Sequence, residues 1–375
     1  MNKEKSILFL NLNTFSATGG IEKVCRIAGK AIWNICEINK WKFIIFSLHD
    51  LNINAKENKY FPSTIFRGFG SRIFYFILTS IFEKKCKNNI VILSHINLLL
   101  VGFLIKFLSP KTHLIMYVHG IEVWGKLTFM KKFMIKKCNK IIAVSQFTKE
   151  KMSELNPDIE PSKIIVIHNC LDPFLIVDKN PEKDNNLLKK YGIDIKSKIL
   201  LAVTRYSFEE KYKGYDQVIK AIGELKKTGE GNLFYLLVGK YDAHEKSRID
   251  ILIKENDLVG NVIFTGFIPD SELTKHFNLA DIFAMPSLME GFGIVFIEAA
   301  YHGLPVIAGN RDGSVEALLA GKLGILIDPF NINDIKEAIL NIIIKTPHHL
   351  PDKALLADHF GFENYQRKLS ETLIF

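Results

Sequence analysis

Residues 281–309, DIFAMPSLMEGFGIVFIEAAYHGLPVIAG, contain the pattern that decides the fold. A short apolar run at 281–286 leads through a glycine-containing loop into a helical pattern that begins near Gly293. A second apolar run follows at 305–309. Short, continuous apolar runs that are joined by helices are typical of a parallel sheet covered on both faces. The stretch therefore predicts a strand, a helix and a second strand of an α/β protein.

The same alternation extends outward through the whole chain. In the second half the predicted strands are KILLAVT, LFYLLVG, NVIFTG, DIFAMP, PVIAG and GILID. In the first half they are ILFLNL, KFIIFSL, IVILS, HLIMYV, KIIAVS and KIIVIHN. The polar stretch 178–197 separates the two series and is the predicted linker. We therefore expect two doubly wound domains, residues 1–177 and 198–359, with ligand sites at the carboxyl ends of their strands.

Size and composition agree with two globular domains. The chain has 375 residues, 48% of them hydrophobic and 24% charged, which is more than one ordinary core requires. The N-terminal MNKEKSILFLNLN lacks the length and the cleavage site of a signal peptide, and we interpret it as the first buried strand. The cysteines are odd in number and form no CxxC pair, which predicts neither a disulfide framework nor a zinc site. They stand at positions 25, 36, 86, 138 and 170. A reducing cytoplasm is the expected compartment.

Positive charge is concentrated in the first half. Residues 1–170 contain 25 Lys and Arg against 11 Asp and Glu, a net charge of +14, whereas the remainder has a net charge of −5. The basic residues stand among apolar ones in SRIFYFILTSIFEKKCK (71–87) and FMKKFMIKKCNK (129–140). Such stretches suit the headgroup region of an anionic membrane. Core-facing helices with solvated basic edges explain them equally well.

A membrane-spanning helix has to be considered at IVILSHINLLLVGFLIKF, residues 90–107. Its length approaches the roughly 20 residues that cross a bilayer. Ser94, His95 and Asn97 interrupt the run, and Lys106 stands near its end. The segment therefore predicts a strand, a polar turn and a helix. We expect a protein that lies on the inner face of the cell membrane without spanning it.

Two strand ends in the first half have unusual residues. In NLNTFSATGGIEKV, Gly19 and Gly20 directly precede a helix, whose N-terminal amides favour phosphate, although a simple turn has the same pattern. In LIMYVHGIEVW, His119 and Gly120 end a strand and place a titratable group at its carboxyl end. A structural histidine that is hydrogen-bonded to the next loop is the alternative.

Strand ends in the second half contribute charged residues. Arg205 follows one strand, and Lys213 precedes Gly214 at the start of the next helix. Two such cations neutralise a diphosphate well, although solvated surface charges are the alternative. Glu290 lies in a glycine-rich loop and Glu298 lies inside the following helix, so the two carboxylates stand at different depths. A carboxylate accepts hydrogen bonds from sugar hydroxyls, and an ordinary buried, paired carboxylate is the alternative at Glu298.

Together these motifs resemble the GT-B fold glycosyltransferases of family 4, which are retaining enzymes that use nucleotide-sugar donors. The resemblance covers nearly the whole chain. It rests on GGIEKV, VHGIEVW, IIAVSQFTKEKM, VIHNCLDP, TRY with YKG, LLVG, VIFTGFIPDSEL, the Glu290-to-Glu298 spacing and GKLGILIDP. It implies two Rossmann-like domains that face a cleft. The segment GFENYQRKLSETL (361–373) resembles the closing helix of the family, so residues 360–375 are expected to return to the N-terminal domain.

The resemblance also implies roles for individual residues. Arg205 and Lys213 would bind the diphosphate, and Glu298 the ribose. The longer FEEKY insertion leaves Lys211 as an alternative to Lys213, which is preferred because it precedes the glycine. Glu290 would hold the transferred sugar together with backbone amides, those of Phe292, Gly293 and Ile294. His119 would stand near the reacting face of the sugar. Gly20 would present its amide to the diphosphate or the acceptor, and the nucleobase would be lined by Gly266, Phe267 and Ile268.

The implied reaction moves a hexose-type sugar, with retention, from a nucleotide-diphosphate sugar bound at 198–359 to a glycan or lipid-linked acceptor bound at 1–177. Cell-surface polysaccharide or lipopolysaccharide biosynthesis is the expected setting. No cofactor and no metal are expected, because the two cations and the helix amides supply the charge that a metal ion supplies elsewhere.

Two other classes of function remain as alternatives. One is a noncatalytic binding protein of the same fold. The other is a nicotinamide dehydrogenase, which is disfavoured because GFGSRI (68–73) and GFGIVF (291–296) both lack the third glycine of the dinucleotide motif. Nucleic-acid binding is not expected, since the basic half contains no recognisable reading motif.

Overall fold

The computed structural model of the protein describes residues 5–83, 89–178, 181–345 and 350–374. The chain forms two compact units, Met1–Pro173 with Phe360–Phe375, and Phe174–His359. Part of the predicted basic segment 71–87, namely Lys84, Lys85, Cys86 and Lys87, lies outside the described residues. Residues 179 and 180 of the predicted linker also lie outside them.

Within its described residues, the first unit contains a seven-stranded parallel sheet in the order β3-β2-β1-β4-β5-β6-β7. The strands are β1 (Ser6–Asn11), β2 (Lys42–Ser47), β3 (Phe66–Gly68), β4 (Asn89–Leu93), β5 (His113–Val118), β6 (Lys140–Ala143) and β7 (Ile164–Val166). The helices between them are α1 (Gly20–Asn39), α2 (Ile73–Phe82), α3 (Leu99–Leu108), α4 (Phe129–Ile135) and α5 (Gln146–Leu155).

The two faces of this sheet are covered by different helices. Side chains alternate along a strand, so Leu8 and Leu10 of β1 point to one face, where they join a buried cluster with residues of α2, α3 and α4. These residues are Phe76, Ile105 and Met134. From β1 the chain moves to β2 on one side, whereas from β4 it moves to β5 and β6 on the other side of β1. Because the crossovers are right-handed, α1 lies on the face opposite to the other three helices. Helices α2, α3 and α4 therefore lie side by side.

The second unit contains, within its described residues, a six-stranded parallel sheet in the order β10-β9-β8-β11-β12-β13. Its strands are β8 (Lys198–Val203), β9 (Leu233–Val238), β10 (Val262–Gly266), β11 (Ile282–Met285), β12 (Val306–Gly309) and β13 (Ile325–Ile327). The helices from here to the closing segment are α6 (Asn185–Tyr191), α7 (Tyr215–Lys227), α8 (Ala243–Glu255), α9 (Asp270–Leu279), α10 (Ile294–Tyr301), α11 (Ser314–Ala317), α12 (Ile332–Lys345) and α13 (Lys353–Phe360).

All twelve predicted strands are present, and the prediction of two doubly wound sheets is confirmed. Strand β3 was not predicted, because three residues at a sheet edge give no measurable periodicity. The segment 90–107 forms β4, a short turn and α3, as expected. Among the described residues, no helix combines the length and the apolar character that crossing a membrane requires.

The predicted linker 178–197 differs from the structure. The chain passes from the first unit to the second at Pro173, and the described residues of the predicted linker belong to the second unit. They include α6, whose first amides are capped by the Asp184 side chain. Just before the helix, Lys183 Nζ lies 2.7 Å from the Asp281 carboxylate. Polar composition suggested a linker, but the polar residues cap a helix and form ion pairs there.

The closing helix α14 (Phe362–Leu373) packs against α1 in the first unit. The hydroxyls of Tyr117 and Tyr365 lie 3.0 Å apart in the core. Lys140 Nζ donates to the carbonyl oxygen of Thr372 at 2.9 Å. The predicted return of this helix to the N-terminal domain is therefore confirmed.

Candidate functional site

The order of the strands identifies the expected ligand position in the second sheet. From β8 the chain adds β9 and β10 on one side and β11, β12 and β13 on the other, so the winding direction reverses between β8 and β11. Loops at the carboxyl ends of such strands diverge and leave a crevice, which is the usual ligand position in doubly wound sheets. The loops after β8 and β11 contain Arg205, Lys213 and Glu290.

Lys213 and Glu290 form an ion pair in this position. Lys213 Nζ donates to Glu290 Oε1 at 2.5 Å, and the two side chains are only 13% and 14% exposed. Burial by itself lowers the pKa of Lys213, but the neighbouring Glu290 carboxylate outweighs burial and the net pKa is raised. Lys213 is therefore charged at neutral pH. The fold thus brings together two residues that lie far apart in sequence.

Glycines allow the loops to approach closely enough for this contact. Gly214 has a φ of +82°, and a Cβ there would lie 2.0 Å from the Pro286 carbonyl oxygen. Gly313, in the loop after β12, donates its amide to the Glu290 carbonyl oxygen at 2.9 Å. A Cβ at this position would lie 2.3 Å from the Gly291 carbonyl oxygen. The loops after β8, β11 and β12 are therefore packed backbone to backbone.

The side chain of Asp312 fixes the position of the Glu290 loop. Its buried carboxylate accepts hydrogen bonds from the backbone amides of Glu290, at 2.6 Å, and Ser314, at 2.9 Å. Burial raises the pKa of Asp312 to about 6, although both amides favour the ionised form. No local sequence pattern predicts this role of Asp312, because its contact with Glu290 depends on how two separate loops meet.

Arg205 is placed differently from Lys213. Its side chain is largely exposed, and a guanidinium nitrogen lies 2.6 Å from a carboxylate oxygen of Glu210. Glu210 belongs to the FEEKY insertion, which therefore provides the partner of Arg205. Lys211 lies with Nζ 3.6 Å from the centre of the Phe208 ring. The contact with Glu290 is thus made by Lys213, the lysine that precedes the glycine.

Helix α10 begins directly after this loop. Gly293 is its N-cap and has a φ of +81°, and a Cβ there would lie 2.4 Å from the Phe296 ring. The helix therefore starts where the sequence predicted. The first amides of a helix have no hydrogen-bond partner within the helix. The backbone amides that follow Phe292 and Gly293, at the start of α10, therefore suit a polar or anionic ligand. Glu298 is buried inside the helix.

The predicted nucleobase residues lie at the end of β10 and directly after it, two strands away from β8. Gly266 has a φ of +74°. Its carbonyl oxygen accepts a hydrogen bond from the backbone amide of Gly239 at 3.0 Å. Phe267 is exposed, with Lys240 Nζ 5.1 Å from its ring centre, and Ile268 is half-buried. An exposed ring beside a cation provides a surface on which a base can stack.

Gly20 lies in the first unit, at the start of α1. It is exposed, and a Cβ there would meet nothing within 4 Å. The loop that leads to it is held by the buried Asp50, which accepts from the backbone amides of Thr14 and Ser16, each at 2.6 Å. Asp50 was not identified from the sequence, since nothing near it in the chain indicates that it binds a distant loop.

His119 also lies in the first unit, after β5. Its Nε2 is 2.7 Å from the carbonyl oxygen of Ser94, which follows β4. A carbonyl can only accept, so Nε2 has the proton and Nδ1 is the acceptor of the neutral ring. This is the contact expected of a structural histidine. It also orients the ring at the carboxyl end of the sheet, so the structure agrees with both interpretations.

The predicted residues thus fall into two groups. Gly20 and His119 belong to the first unit, and the other ten belong to the second. Of those ten, the structure joins Lys213 and Glu290 directly. Within the described part of the chain, no group of three or more His, Cys, Asp or Glu is arranged to hold a metal ion.

Comparison with known families and structures agrees with this architecture. The model of "Glycosyltransferase Family 4" matches residues 42–173, and that of "Glycosyl transferases group 1" matches residues 183–353. The crystal structure of Anabaena HepE in complex with UDP has a TM-score of 0.80 at 18% identity, covering 98% of this chain and 99% of that one. At this identity the likeness shows the fold alone.

Two curated relatives are similar in sequence. The GDP-mannose-dependent alpha-(1-6)-phosphatidylinositol monomannoside mannosyltransferase of Mycolicibacterium smegmatis is 26% identical over 261 residues, 66% of this chain and 65% of the relative. The D-inositol 3-phosphate glycosyltransferase of Corynebacterium aurimucosum is 26% identical over 205 residues, 54% of this chain and 48% of the relative. The matches thus span less than two-thirds of the relatives' length. With two family models matching most of the chain and a shared fold, the protein belongs to the family 4 glycosyltransferases of the GT-B fold.

Proposed function

We propose that this protein transfers a sugar from a nucleotide-diphosphate sugar that binds to the second unit. The main support is the largely buried pair of Lys213 and Glu290 at the point where the winding of the second sheet reverses. Such a pair provides a cation for a phosphate group and a carboxylate for sugar hydroxyls within one short distance. A diphosphate that leaves during the reaction gains charge, and a fixed cation stabilises it.

The surrounding loops support precise placement of the sugar. Glu290 is hydrogen-bonded through its amide to Asp312 and through its carbonyl to Gly313, so its position is fixed before a ligand arrives. Preorganised groups stabilise a transition state without a further cost of ordering. We therefore assign Glu290 to catalysis. We also assign to catalysis His119, whose ring is oriented by its contact with the Ser94 carbonyl oxygen. The amides of Phe292, Gly293 and Ile294 would support the sugar.

The remaining donor contacts follow from the same assignment. Arg205 would exchange its partner Glu210 for a phosphate oxygen, which its exposure permits. Glu298 would accept hydrogen bonds from the ribose. The segment from Gly266 to Ile268 would contact the base, and Gly20 of the first unit would offer its amide to the diphosphate or the acceptor.

We propose retention of the anomeric configuration by attack on the face from which the diphosphate leaves. The leaving phosphate oxygen would accept the proton of the attacking hydroxyl. Charge neutralisation would come from Arg205, Lys213 and the amides of α10, without a metal ion. Activity that survives EDTA, with a product of the donor's anomeric configuration by NMR, would support this; loss of activity that Mg²⁺ restores would contradict it.

For the acceptor we propose a glycan or lipid-linked molecule bound by the first unit, with the protein lying peripherally on the inner face of the cell membrane. The net charge of +14 in residues 1–170 supports an anionic surface as partner. One similar enzyme is named for a phosphatidylinositol-linked acceptor. Cell-surface polysaccharide or lipopolysaccharide synthesis with a hexose donor is the corresponding setting.

The first test is binding of nucleotide sugars. UDP-, GDP- and ADP-sugars would be screened by thermal shift, and the ligand that stabilises the protein would then be used in a donor-hydrolysis assay. We expect one nucleotide class to stabilise the fold and its sugar to be released. Stabilisation without release would favour the noncatalytic binding protein. Stabilisation by NADH alone would contradict the proposal.

A further inference from the structure

The outer side of α2, α3 and α4 is unusually apolar. These three helices lie side by side on one face of the first sheet and bury their inner residues beneath them. Large apolar side chains nevertheless project outward from each helix. Phe74 is 81% exposed, Phe107 is 70% exposed and Phe129 is 83% exposed. Leu78 and Met130 are exposed beside them. We call this surface the three-helix face.

The apolar residues of this face are in contact across helices. The ring centres of Phe103 and Phe133, from α3 and α4, lie 5.6 Å apart, and those of Phe103 and Phe107 lie 6.3 Å apart. Helix α2 packs against the other side of α3. The apolar side chains of α3 and α4 therefore form one surface, and α2, with its exposed Phe74 and Leu78, lies next to it. Connected apolar surfaces of this kind mark a site of interaction with a partner or a membrane.

The charges within the three helices have one sign. Helices α2, α3 and α4 contain no Asp or Glu. Lys131 and Lys132 lie in α4, and Lys136 and Lys137 follow it. Lys137 Nζ lies 5.4 Å from the Phe133 ring centre, so a cation stands directly at the apolar surface. Lys132 is 3.6 Å from Asp158, a distance typical of a weak, partly exposed ion pair.

We propose that the three-helix face docks on an anionic lipid bilayer. Phe74, Phe107 and Phe129 would enter the boundary between headgroups and acyl chains, while the lysines of 131–137 would contact lipid phosphates. A second copy of the chain is a poorer partner, since a symmetric contact would bring the same lysines against each other. The inference rests on the proposed function, because it places the first unit where a lipid-linked acceptor lies.

Vesicle sedimentation tests the aromatic part. The full chain and the variant Phe74→Ser/Phe107→Ser/Phe129→Ser would be mixed with vesicles of phosphatidylcholine alone and with phosphatidylglycerol added. The matched control replaces three exposed apolar residues elsewhere, Ile38→Ser/Phe330→Ser/Ile344→Ser. We expect the unsubstituted chain and the control to bind the anionic vesicles equally well. The aromatic variant should bind them at least about tenfold more weakly.

The charged part has its own pair of variants. Lys136→Glu/Lys137→Glu should weaken binding to anionic vesicles, and Lys189→Glu/Lys190→Glu in α6 should not. Binding should also fall in about 1 M NaCl, where the screening length is about 3 Å. Equal binding to both kinds of vesicle, or binding that ignores both sets of variants, would overturn the proposal. So would a dimer that the aromatic substitutions dissociate, with no vesicle binding by the unsubstituted chain.

The same variants separate this inference from the proposed function. Nucleotide-sugar binding by the aromatic variant, measured by thermal shift, should be unchanged, since none of its substitutions lies in the second unit. Vesicle binding without any nucleotide binding would contradict the glycosyltransferase proposal and leave the three-helix face intact. Nucleotide binding without vesicle binding would contradict docking by the three-helix face and leave the glycosyltransferase proposal intact.

Discussion

The two units have the same type of parallel sheet but place their charges in different positions. In the second unit, ionised side chains meet at the carboxyl ends of the strands, as Lys213 does with Glu290 and Arg205 with Glu210. In the first unit, the corresponding ends have an exposed helix start at Gly20 and the His119 ring, and the basic residues lie on the outer helices instead. The fold thus determines where a ligand can bind, while the side chains determine which ligand binds.

Replacing Lys213 should have the largest effect on this contrast. Lys213→Met removes the cation and leaves the Glu290 carboxylate buried without its partner. We expect nucleotide affinity to fall about 100-fold, a loss of about 3 kcal/mol, and unfolding stability to fall by a similar amount. Calorimetry and chemical denaturation would measure the two changes. Lys211→Met is the matched control, and an equal loss of affinity in it would mean that the position of the charge is unimportant.

The two carboxylates of the second unit should separate kinetically. Glu290→Gln is expected to lower kcat by about 100-fold with little change in KM, because the sugar contact tightens as the bond breaks. Glu298→Gln is expected to raise KM about tenfold with kcat preserved, since a ribose contact is the same in the ground and transition states. Steady-state kinetics with the identified donor would measure both. If both variants changed only KM, the role of Glu290 would be contradicted.

Asp312 predicts a pH dependence of stability in the second unit. Its folded pKa, about 6, is raised above the ordinary value of 3.8, so the folded state binds the proton more tightly. The resulting stability is fully present below the ordinary pKa and is lost as the pH rises through about 6. Relative to the Asp312→Asn variant, the free energy of unfolding of the native chain should fall by up to about 3 kcal/mol between pH 4 and pH 7. Denaturation across this range would measure it; a constant difference between the proteins would exclude this linkage.

The smallest expected effect is in the first unit, where the closing helix is held partly by an uncharged contact. Tyr365→Phe removes the buried hydroxyl that meets Tyr117. We expect unfolding stability to fall by about 1 kcal/mol. The loss should be the same at low and high salt, in contrast to effects at charged surface pairs. Denaturation at two salt concentrations would show this, and a salt-dependent loss would weaken the contrast between the units.

The sequence predicted the regular parts of this architecture because they depend on local patterns. Twelve strands, the start of α10 near Gly293 and the return of α14 follow from apolar runs, glycines and the family resemblance. The three-residue β3 and the helix inside the expected linker did not, since neither has a distinctive local composition.

The contacts between loops were beyond reach of the sequence for a different reason. Asp50 and Asp312 each bind backbone amides of another loop, and such a bond depends on how strands are ordered in the sheet. The ion pair of Lys213 with Glu290 likewise requires β8 and β11 to be neighbours. Individual residues can be chosen from motifs, but their partners require the topology. The roles of these residues in donor binding and catalysis stay predictions.

The path of the chain has a consequence for how the protein is made. The first unit contains residues from both sides of the second unit in sequence, because α14 packs against α1. During synthesis, the second unit is therefore complete while α1 still lacks its covering helix. Domains fold as their residues emerge, at about 5–20 residues per second. The second unit can thus fold on the ribosome before the first, and α1 presents an uncovered apolar side to chaperones until residues 360–375 have emerged.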